Sequence, residues 1–533
     1  MRLYFAKLNN WFKENWLRAA VFFVLLAWCK IFLSVPINLV TADLGRHIIN
    51  GRLFIENNLV SHANLFSFTY PDFAFINHHW GSGVIFYFVE KVSGFAGLSF
   101  FYILLSLITF SVLFFLAKEK SSFGSAAVVS LIVIPLIGER AEVRPEVFSY
   151  FLGAIFLLIL SRAQDLKISV RWLFLLPILA MLWVNLHIYF IFGIGVMGLF
   201  LTENIFWLFY GEKRKRAISL LKSLIPAFVL ALAALFINPF GWKAIIYPFK
   251  IFGNYGYRVV ENQSVLFLEK LGFYRNANLA VYEFVVVIFL LVMIFALIFN
   301  RKKMSPVFVG LGVTVSALAF FALRNFALFG YFILPALSYF IYCLLAGLRE
   351  RYVFFRGKEK ATIIFLGVVF FIFTFFQVKE KILNNADSEL GLVPGVNKSA
   401  DFFKKEKLEG PIMNNYDIGG YLIYHLYPAE RVFTDNRPEA YPADFFREIY
   451  IPAQEDGGAW KALDNRYGFN VIYYYLGDAT PWGQKFLTDR IDDPEWAPVY
   501  ADSYAIIFVK NVEKNKSIIE RFRIPRKFFN IRS

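Results

Sequence analysis

The chain has 533 residues, of which 58% are hydrophobic and only 18% charged, with 65 Phe among them. An ordinary soluble domain is about 45–50% apolar and 25% charged, so one soluble globule cannot hide this much apolar side chain, and disorder, collagen and coiled coil are excluded with it. Two cysteines exclude a disulfide scaffold, and in a chain this apolar the net charge of +15 reads as basic cytoplasmic connections before it reads as a nucleic-acid surface.

What composition leaves is an α-helical protein that crosses a membrane many times. Apolar runs fall at 19–40, 97–117, 123–138, 146–162, 172–186, 188–209, 217–237, 279–299, 305–323, 326–347 and 361–377. They predict about eleven transmembrane helices, several near the lower length limit of roughly 17 residues. The first run is too long for the core of a cleaved signal and is read as a span. The stretch 81–92 is apolar but too short to cross, and is expected at the interface or folded back. Cys29 and Cys343 lie inside apolar runs and suggest no metal or redox role.

Arg2, Lys7, Lys13 and Arg18 place the N-terminus in the cytoplasm. Every second connection is then basic: Lys118 and Lys120; Arg162, Lys167 and Arg171; Lys213 to Arg216; Arg301, Lys302 and Lys303; and Arg349, Arg351, Arg356, Lys358 and Lys360. This alternation is what the positive-inside rule requires. An odd number of spans puts everything after residue 377 outside. The expected division is a transmembrane domain, 1–377, with a large first outer loop, 41–96, followed by an extracytoplasmic α/β domain, 378–533.

The outer connections carry the unusual residues. After the first span come Asp43, Arg46 and His47, spaced to share one helical face. A carboxylate beside a cation and an imidazole can act as a general base; equally, Asp43 can cap a helix together with Thr41. Residues 64–70 read as a short extended segment. His78 and His79 follow; two histidines without a third ligand at a defined spacing do not make a metal site, so none is expected. Later outer turns hold Glu139, Arg140, Glu142, Arg144 and Glu146, then Asn185 and His187, Asn238, Glu261, and Arg324 with Asn325. Several of these links are only a few residues long, so their polar groups lie at membrane depth, where ionisable side chains are costly and face a cavity or a partner. Asp43, His47, Arg144, His187 and Arg324 are expected to line one outward-facing chamber.

Beyond residue 377 ordinary globular patterning returns. Runs 412–414, 431–434, 469–474 and 504–509 read as strands and 460–467 and 482–491 as helices, an α/β pattern. Gly419 and Gly420 lack the spacing of a phosphate loop and read as a tight turn into a helix.

In this combination of features the chain resembles the C-type (GT-C) glycosyltransferase superfamily, polytopic enzymes that use lipid-linked sugars. The resemblance rests on the cytoplasmic N-terminus, the large first outer loop, Asp43 directly after the first span, charged later turns and a final extracytoplasmic domain. More narrowly it resembles a bacterial membrane-protein group with an Asp-x-x-x-His-x-x-x-Gly opening (Asp43, His47, Gly51) and His-Trp (His79, Trp80). That group also has Arg-Pro-Glu (Arg144, Pro145, Glu146), Trp-x-Asn-x-His (Trp183, Asn185, His187), Asn-Pro-Phe-Gly (Asn238 to Gly241) and Asp-x-Arg (Asp435, Arg437). A single Asp at the loop start departs from superfamily members with an Asp-Asp or Asp-Glu pair there.

The resemblance implies inverting transfer of a sugar from a polyprenyl-phosphate-linked donor to an envelope lipid, glycan or protein, at the outer face of a bacterial inner membrane. Asp43 would be the catalytic residue. Arg46, His47, His78, His79, Arg140, Glu142, Arg144, Glu146, Asn185, His187, Asn238 and Arg324 would bind substrate. No cofactor is expected; the resemblance is compatible with metal-independent or weakly metal-assisted transfer, and a divalent cation is possible but not indicated. The expected partners are the lipid-linked sugar, membrane lipids and the acceptor, not nucleic acid. The alternatives are a flippase for a lipid-linked sugar and a non-catalytic envelope-assembly protein.

Overall fold

The computed structural model describes residues 2–250, 253, 255–272, 276–300, 304–352, 357, 359–384 and 390–529. Arg301, Lys302, Lys303, Arg356 and Lys358, counted above among the basic connections, lie outside them. The chain divides into two compact units.

The first unit holds residues 1–35, 99–241 and 259–388. Lipid offers no hydrogen bonds, so a spanning chain must satisfy its backbone internally, as a helix does. Each of the eleven expected runs falls on a helix. Among the described residues eight helices are long and apolar enough to cross: Asn15–Leu33, Trp80–Lys120, Phe123–Arg140, Glu146–Gln164, Phe190–Trp207, Lys213–Ala234, Ala277–Asn300 and Leu323–Arg351. Three are shorter, Val170–Leu186, Pro306–Phe321 and Ala361–Phe376. Glu146–Gln164, Leu323–Arg351 and Phe123–Arg140 are the most buried crossing helices, at 78, 72 and 67% of their apolar windows, and so form the centre of the bundle. Ala277–Asn300 is only 28% buried and exposes Val287, Leu291 and Ile294, the apolar face of a helix that meets lipid.

The stretch 81–92 belongs to the long helix Trp80–Lys120, which is broken at Gly94 (φ +64°, ψ −168°). That backbone region is essentially open to glycine alone, and it separates the short apolar stretch from the run at 97–117.

The basic connections meet at one end of the bundle. Lys120 Nζ is 2.7 Å from Asp165 Oδ2 and Arg216 Nη2 is 3.4 Å from Asp165 Oδ1, while Glu119 pairs with both Arg162 and Lys167. Three connections expected on one side thus share it.

The second unit holds residues 36–98, 242–258 and 389–533. The first outer loop, expected with the transmembrane part, therefore belongs to the same compact unit as the C-terminal region. Four strands, β1 (Ile412–Asn414), β2 (Val471–Tyr475), β3 (Trp496–Ala501) and β4 (Ala505–Lys510), form a sheet in the order β1-β2-β4-β3. β1 runs parallel to β2 and the other pairs are antiparallel. β3 went unread in the sequence because Pro498 interrupts its pattern. The run 431–434 is not a strand of this sheet. Val432 instead makes an isolated bridge to Ser67, so two segments read as extended pair with each other.

Aromatic rings fill the core of this unit. Trp460 and Phe469 stack with centroids 5.7 Å apart, and Phe433, Tyr441, Phe445, Phe446, Tyr450 and Trp496 surround them. Arg437 is buried within this region. It grips Asp435 through Nε–Oδ1 (2.7 Å) and Nη2–Oδ2 (2.6 Å), donates to Asn64 Oδ1 (2.7 Å) and stacks over Phe75. Helix Leu44–Asn57 touches residues 80–93 backbone to backbone: a Cβ on Gly51 would stand 2.1 Å from the carbonyl oxygen of Gly83. This close approach accounts for the glycine of the Asp-x-x-x-His-x-x-x-Gly pattern.

Candidate functional site

In the first unit the charged turns converge at the ends of the three most buried crossing helices. Arg140 closes Phe123–Arg140, Glu146 opens Glu146–Gln164, and Arg324 lies at the start of Leu323–Arg351. Arg140 reaches Glu146 with Nη2 (2.6 Å) and Glu261 with Nη1 (2.5 Å). Arg144 binds Glu142 (2.8 Å) and Glu261 (3.3 Å). Arg324 donates to Asn262 Oδ1 (3.1 Å) and lies 3.5 Å from Glu146. Three guanidiniums and three carboxylates from three chain segments thus form one network.

The network is closed on one side and open on the other. Glu146 is only 4% exposed, whereas the Glu142 side chain at the rim is 49% exposed. The Nε atoms of Arg140 and Arg324 are buried and make no hydrogen bond among the described residues. Burial alone would raise the Glu261 carboxyl, but Arg140, Arg144 and Arg324 outweigh it and hold the group down at about 2. Glu261 therefore stays a carboxylate, an internal anion on an arginine cluster. Guanidinium forks of this kind match the geometry of carboxylate and phosphate oxygens alike.

His187 stands beside the network with a role of its own. Ser149 Oγ lies 2.7 Å from both His187 Nδ1 and Trp183 Nε1. The Trp-x-Asn-x-His pattern thus places its first and last members on one hydroxyl of the neighbouring helix. Its Asn185 donates to the carbonyls of Met181 and Ile237, both at 2.8 Å. Asn238 spends its side chain on its own turn, donating to Leu235 O and Gly241 O and accepting from Phe240 N. Both asparagines hold backbone.

Of the residues singled out in the sequence, Arg140, Glu142, Arg144, Glu146 and Arg324 come together, with His187 near them. Glu261 and Asn262 complete the network and were missed as site residues. They lie in a connection without periodicity, and Glu261 is 121 residues along the chain from Arg140. The only sequence signal was an acidic residue in an outer link.

Asp43, Arg46, His47, His78 and His79 belong to the second unit. Asp43 occupies the N-cap of Leu44–Asn57 but makes no capping hydrogen bond from its side chain, which removes the capping role expected for it. It pairs instead with Arg46 Nη2 at 3.5 Å, and Arg46 Nε donates to Asn436 Oδ1 at 3.1 Å. The rings of His47 and His79 lie 5.3 Å apart, those of His78 and His79 3.8 Å, and His78 packs on Tyr247. Among the described residues no three His, Cys, Asp or Glu side chains gather as a metal-ligand set.

Asp417 was also missed. Burial pushes its carboxyl up to about 7, and the neighbouring Asp478 and Asp43 carboxylates push the same way. A carboxyl that titrates near neutrality can take or give a proton at working pH. In the sequence it sat inconspicuously before the Gly-Gly turn.

No protein-family profile and no curated protein sequence matches this chain. Solved structures do. The oligosaccharyltransferase AglB of Archaeoglobus fulgidus, in complex with an inhibitory peptide and a dolichol-phosphate, matches with a TM-score of 0.57 at 11% identity, over 95% of this chain and 75% of that one. The apo form of the Archaeoglobus fulgidus oligosaccharyltransferase matches with a TM-score of 0.55 at 10% identity, over 95% and 75%. ArnT from Cupriavidus metallidurans in the apo state matches with a TM-score of 0.52 at 12% identity, over 93% of this chain and 98% of that one. The chain is a multi-pass membrane protein with a GT-C fold.

Proposed function

We propose that this protein is a membrane glycosyltransferase that moves a sugar from a polyprenyl-phosphate-linked donor to an acceptor of the bacterial envelope. The observation that carries this reading is the arginine cluster at the ends of the most buried helices of the membrane unit. Ionisable groups at such depth are costly and mark function, and guanidiniums are the side chains best suited to a phosphate. The GT-C fold supports it, as does the dolichol-phosphate held by the archaeal protein of that fold.

In the proposed step the Asp43 carboxylate takes the proton of the acceptor hydroxyl or amide. The acceptor atom attacks the anomeric carbon from the face opposite the phosphate. The bond from that carbon to the phosphate oxygen breaks, its electron pair stays on the phosphate, and the anomeric configuration inverts. Within the membrane unit Arg140, Arg144 and Arg324 are the proposed phosphate-binding residues, and the step as written asks for no cofactor.

Asp43→Asn tests the chemistry. The change keeps the volume and, with no capping bond to lose, should leave folding intact. Transfer from an undecaprenyl-phosphate-linked sugar by purified protein should fall by roughly 10²–10⁴-fold, the usual worth of acid–base catalysis. Near-normal transfer in the variant would remove Asp43 as the base. A wild type that moves a labelled lipid across proteoliposomes and forms no glycosidic bond would replace the enzyme with a flippase. The proposed orientation, N-terminus in the cytoplasm of a bacterial plasma membrane and second unit outside, predicts that an impermeant thiol reagent labels a cysteine at Ser503 but not one at Ser121 in intact cells. The reverse labelling would invert it.

A further inference from the structure

His187 lies in the short link between helices Leu175–Leu186 and Phe190–Trp207. Its backbone is extended (φ −161°, ψ 148°), so the helix stops there and the imidazole meets Ser149 of the neighbouring helix Glu146–Gln164. His187, Ser149 and Trp183 are each 0% exposed. Polar groups buried this completely find their partners in the protein.

One placement of the hydrogens satisfies the trio. An indole N–H can only donate, so Ser149 Oγ accepts from Trp183 Nε1 at 2.7 Å. Among the described residues the other partner of that hydroxyl is His187 Nδ1, also at 2.7 Å, and the hydroxyl hydrogen goes to this nitrogen. The backbone N–H of Tyr189 donates to the same atom at 3.4 Å. Nδ1 is therefore an acceptor and carries no hydrogen. The imidazole is neutral, with its hydrogen on Nε2, because the bond made by one ring nitrogen sets the state of the other.

Two ties place this ring at the arginine network. Glu146 and Ser149 are three residues apart on one helix and share a face, and the imidazole is within electrostatic reach of the Glu146 carboxylate. Tyr189 packs edge-on against the ring at 4.7 Å, and its hydroxyl donates to Asn325 Oδ1 at 2.6 Å, next to Arg324.

We propose that Ser149 and Trp183 are positioning residues that lock His187 as a neutral Nε2–H donor, and that this donor binds an oxygen of the lipid-linked phosphate at the arginine network. A neutral N–H adds a hydrogen bond to the anion and, unlike a fourth cation, draws no further carboxylate into the site. The donor role rests on the transferase reading; the lock does not.

Nitrogen-15 NMR of the full chain, labelled at its six histidines, tests the lock, and His187→Asn assigns the signal. Wild type at neutral pH should show His187 uncharged with the hydrogen on Nε2. Ser149→Ala removes the donor to Nδ1 and should bring in the other tautomer or the imidazolium. An Nδ1–H or imidazolium signal in wild type would overturn the lock, as would an unchanged signal in a folded Ser149→Ala variant. Binding of undecaprenyl phosphate tests the donor. The amide of His187→Asn can still accept from Ser149 but is too short to reach the Nε2 position, which the amide of His187→Gln does reach. The Asn variant should bind undecaprenyl phosphate roughly 10–100-fold more weakly than wild type, the worth of a hydrogen bond to a charged group, and the Gln variant should recover part of the loss. Melting curves check the folding of each variant. Wild-type affinity in a folded Asn variant would overturn the donor role alone. A wild type that binds no undecaprenyl phosphate would overturn it together with the transferase reading, and the histidine spectrum would still decide the lock.

Discussion

Two buried ionic clusters, one in each unit, are built on opposite plans. Asp435 and Arg437 are two residues apart, almost wholly buried (0 and 1% side-chain exposure), and joined by two short bonds with Asn64 taking a third. The Arg140–Arg144–Arg324 network draws on three separate chain segments, leaves two interior guanidinium Nε atoms without a partner among the described residues, and thins to a half-exposed carboxylate at its rim. A saturated pair has no valence left for a ligand. It serves to hold the Phe66–Phe75 segment against the aromatic core, with Arg437 stacked on both rings. An incompletely satisfied cluster with an open edge keeps hydrogen-bonding capacity in reserve, and that is what a site for a charged substrate needs. Burial and charge are common to the two, so neither by itself tells structure from function.

The contrast can be broken first at Arg437. Arg437→Ala leaves Asp435 buried and uncompensated, which should cost about 3–5 kcal/mol of stability. Thermal or denaturant unfolding measures it. Arg437→Lys should not rescue the loss, because the ammonium cannot reproduce the fork. If the alanine variant unfolds as the wild type does, the pair is not the staple described here.

Arg144→Lys should behave in the opposite way. The residue pairs with the half-exposed Glu142 and at a longer distance with Glu261, so melting should move little. Sugar transfer should fall by roughly 10–100-fold, the worth of a charged hydrogen bond. A variant that loses stability but not transfer would place Arg144 with the structural pairs.

Asp417 sharpens the comparison as a half-buried carboxyl with repulsive neighbours. Its folded value of about 7 lies above the ordinary 3.8. Between those values the folded chain keeps a proton that the unfolded chain has lost, so this group's contribution to stability falls as pH rises through that window. Asp417→Asn removes the penalty: the variant should match wild type near pH 4 and exceed it by on the order of 2 kcal/mol near pH 8. Parallel melting curves at the two pH values check this, and a constant gap between them would contradict it.

Much of the membrane unit was legible from the residues alone. Hydrocarbon demands long apolar helices and punishes stray charge, so the eleven runs stood out, and the basic links at Lys120, Arg162 and Arg216 could be assigned to one end. The same penalty made Arg140, Arg144, Glu146 and Arg324 conspicuous before any geometry was known. Asp43 was conspicuous too, but its pairing with Arg46 in place of a cap depends on a side-chain rotamer that spacing does not specify.

What only the tertiary structure decided are matters of long-range contact. The first outer loop and the C-terminal segment form one compact unit because Val432 bridges Ser67 and Arg437 reaches Asn64, contacts between stretches hundreds of residues apart with no shared periodicity. Glu261 joins the arginines from a link with no pattern of its own. Asn185 and Asn238, polar and at membrane depth like the arginines, are committed to backbone carbonyls. Composition and period set which segments enter the membrane, because that choice is made residue by residue against lipid. Which charges are spent on the fold and which are held in reserve depends on partners that only the folded chain brings within bonding distance.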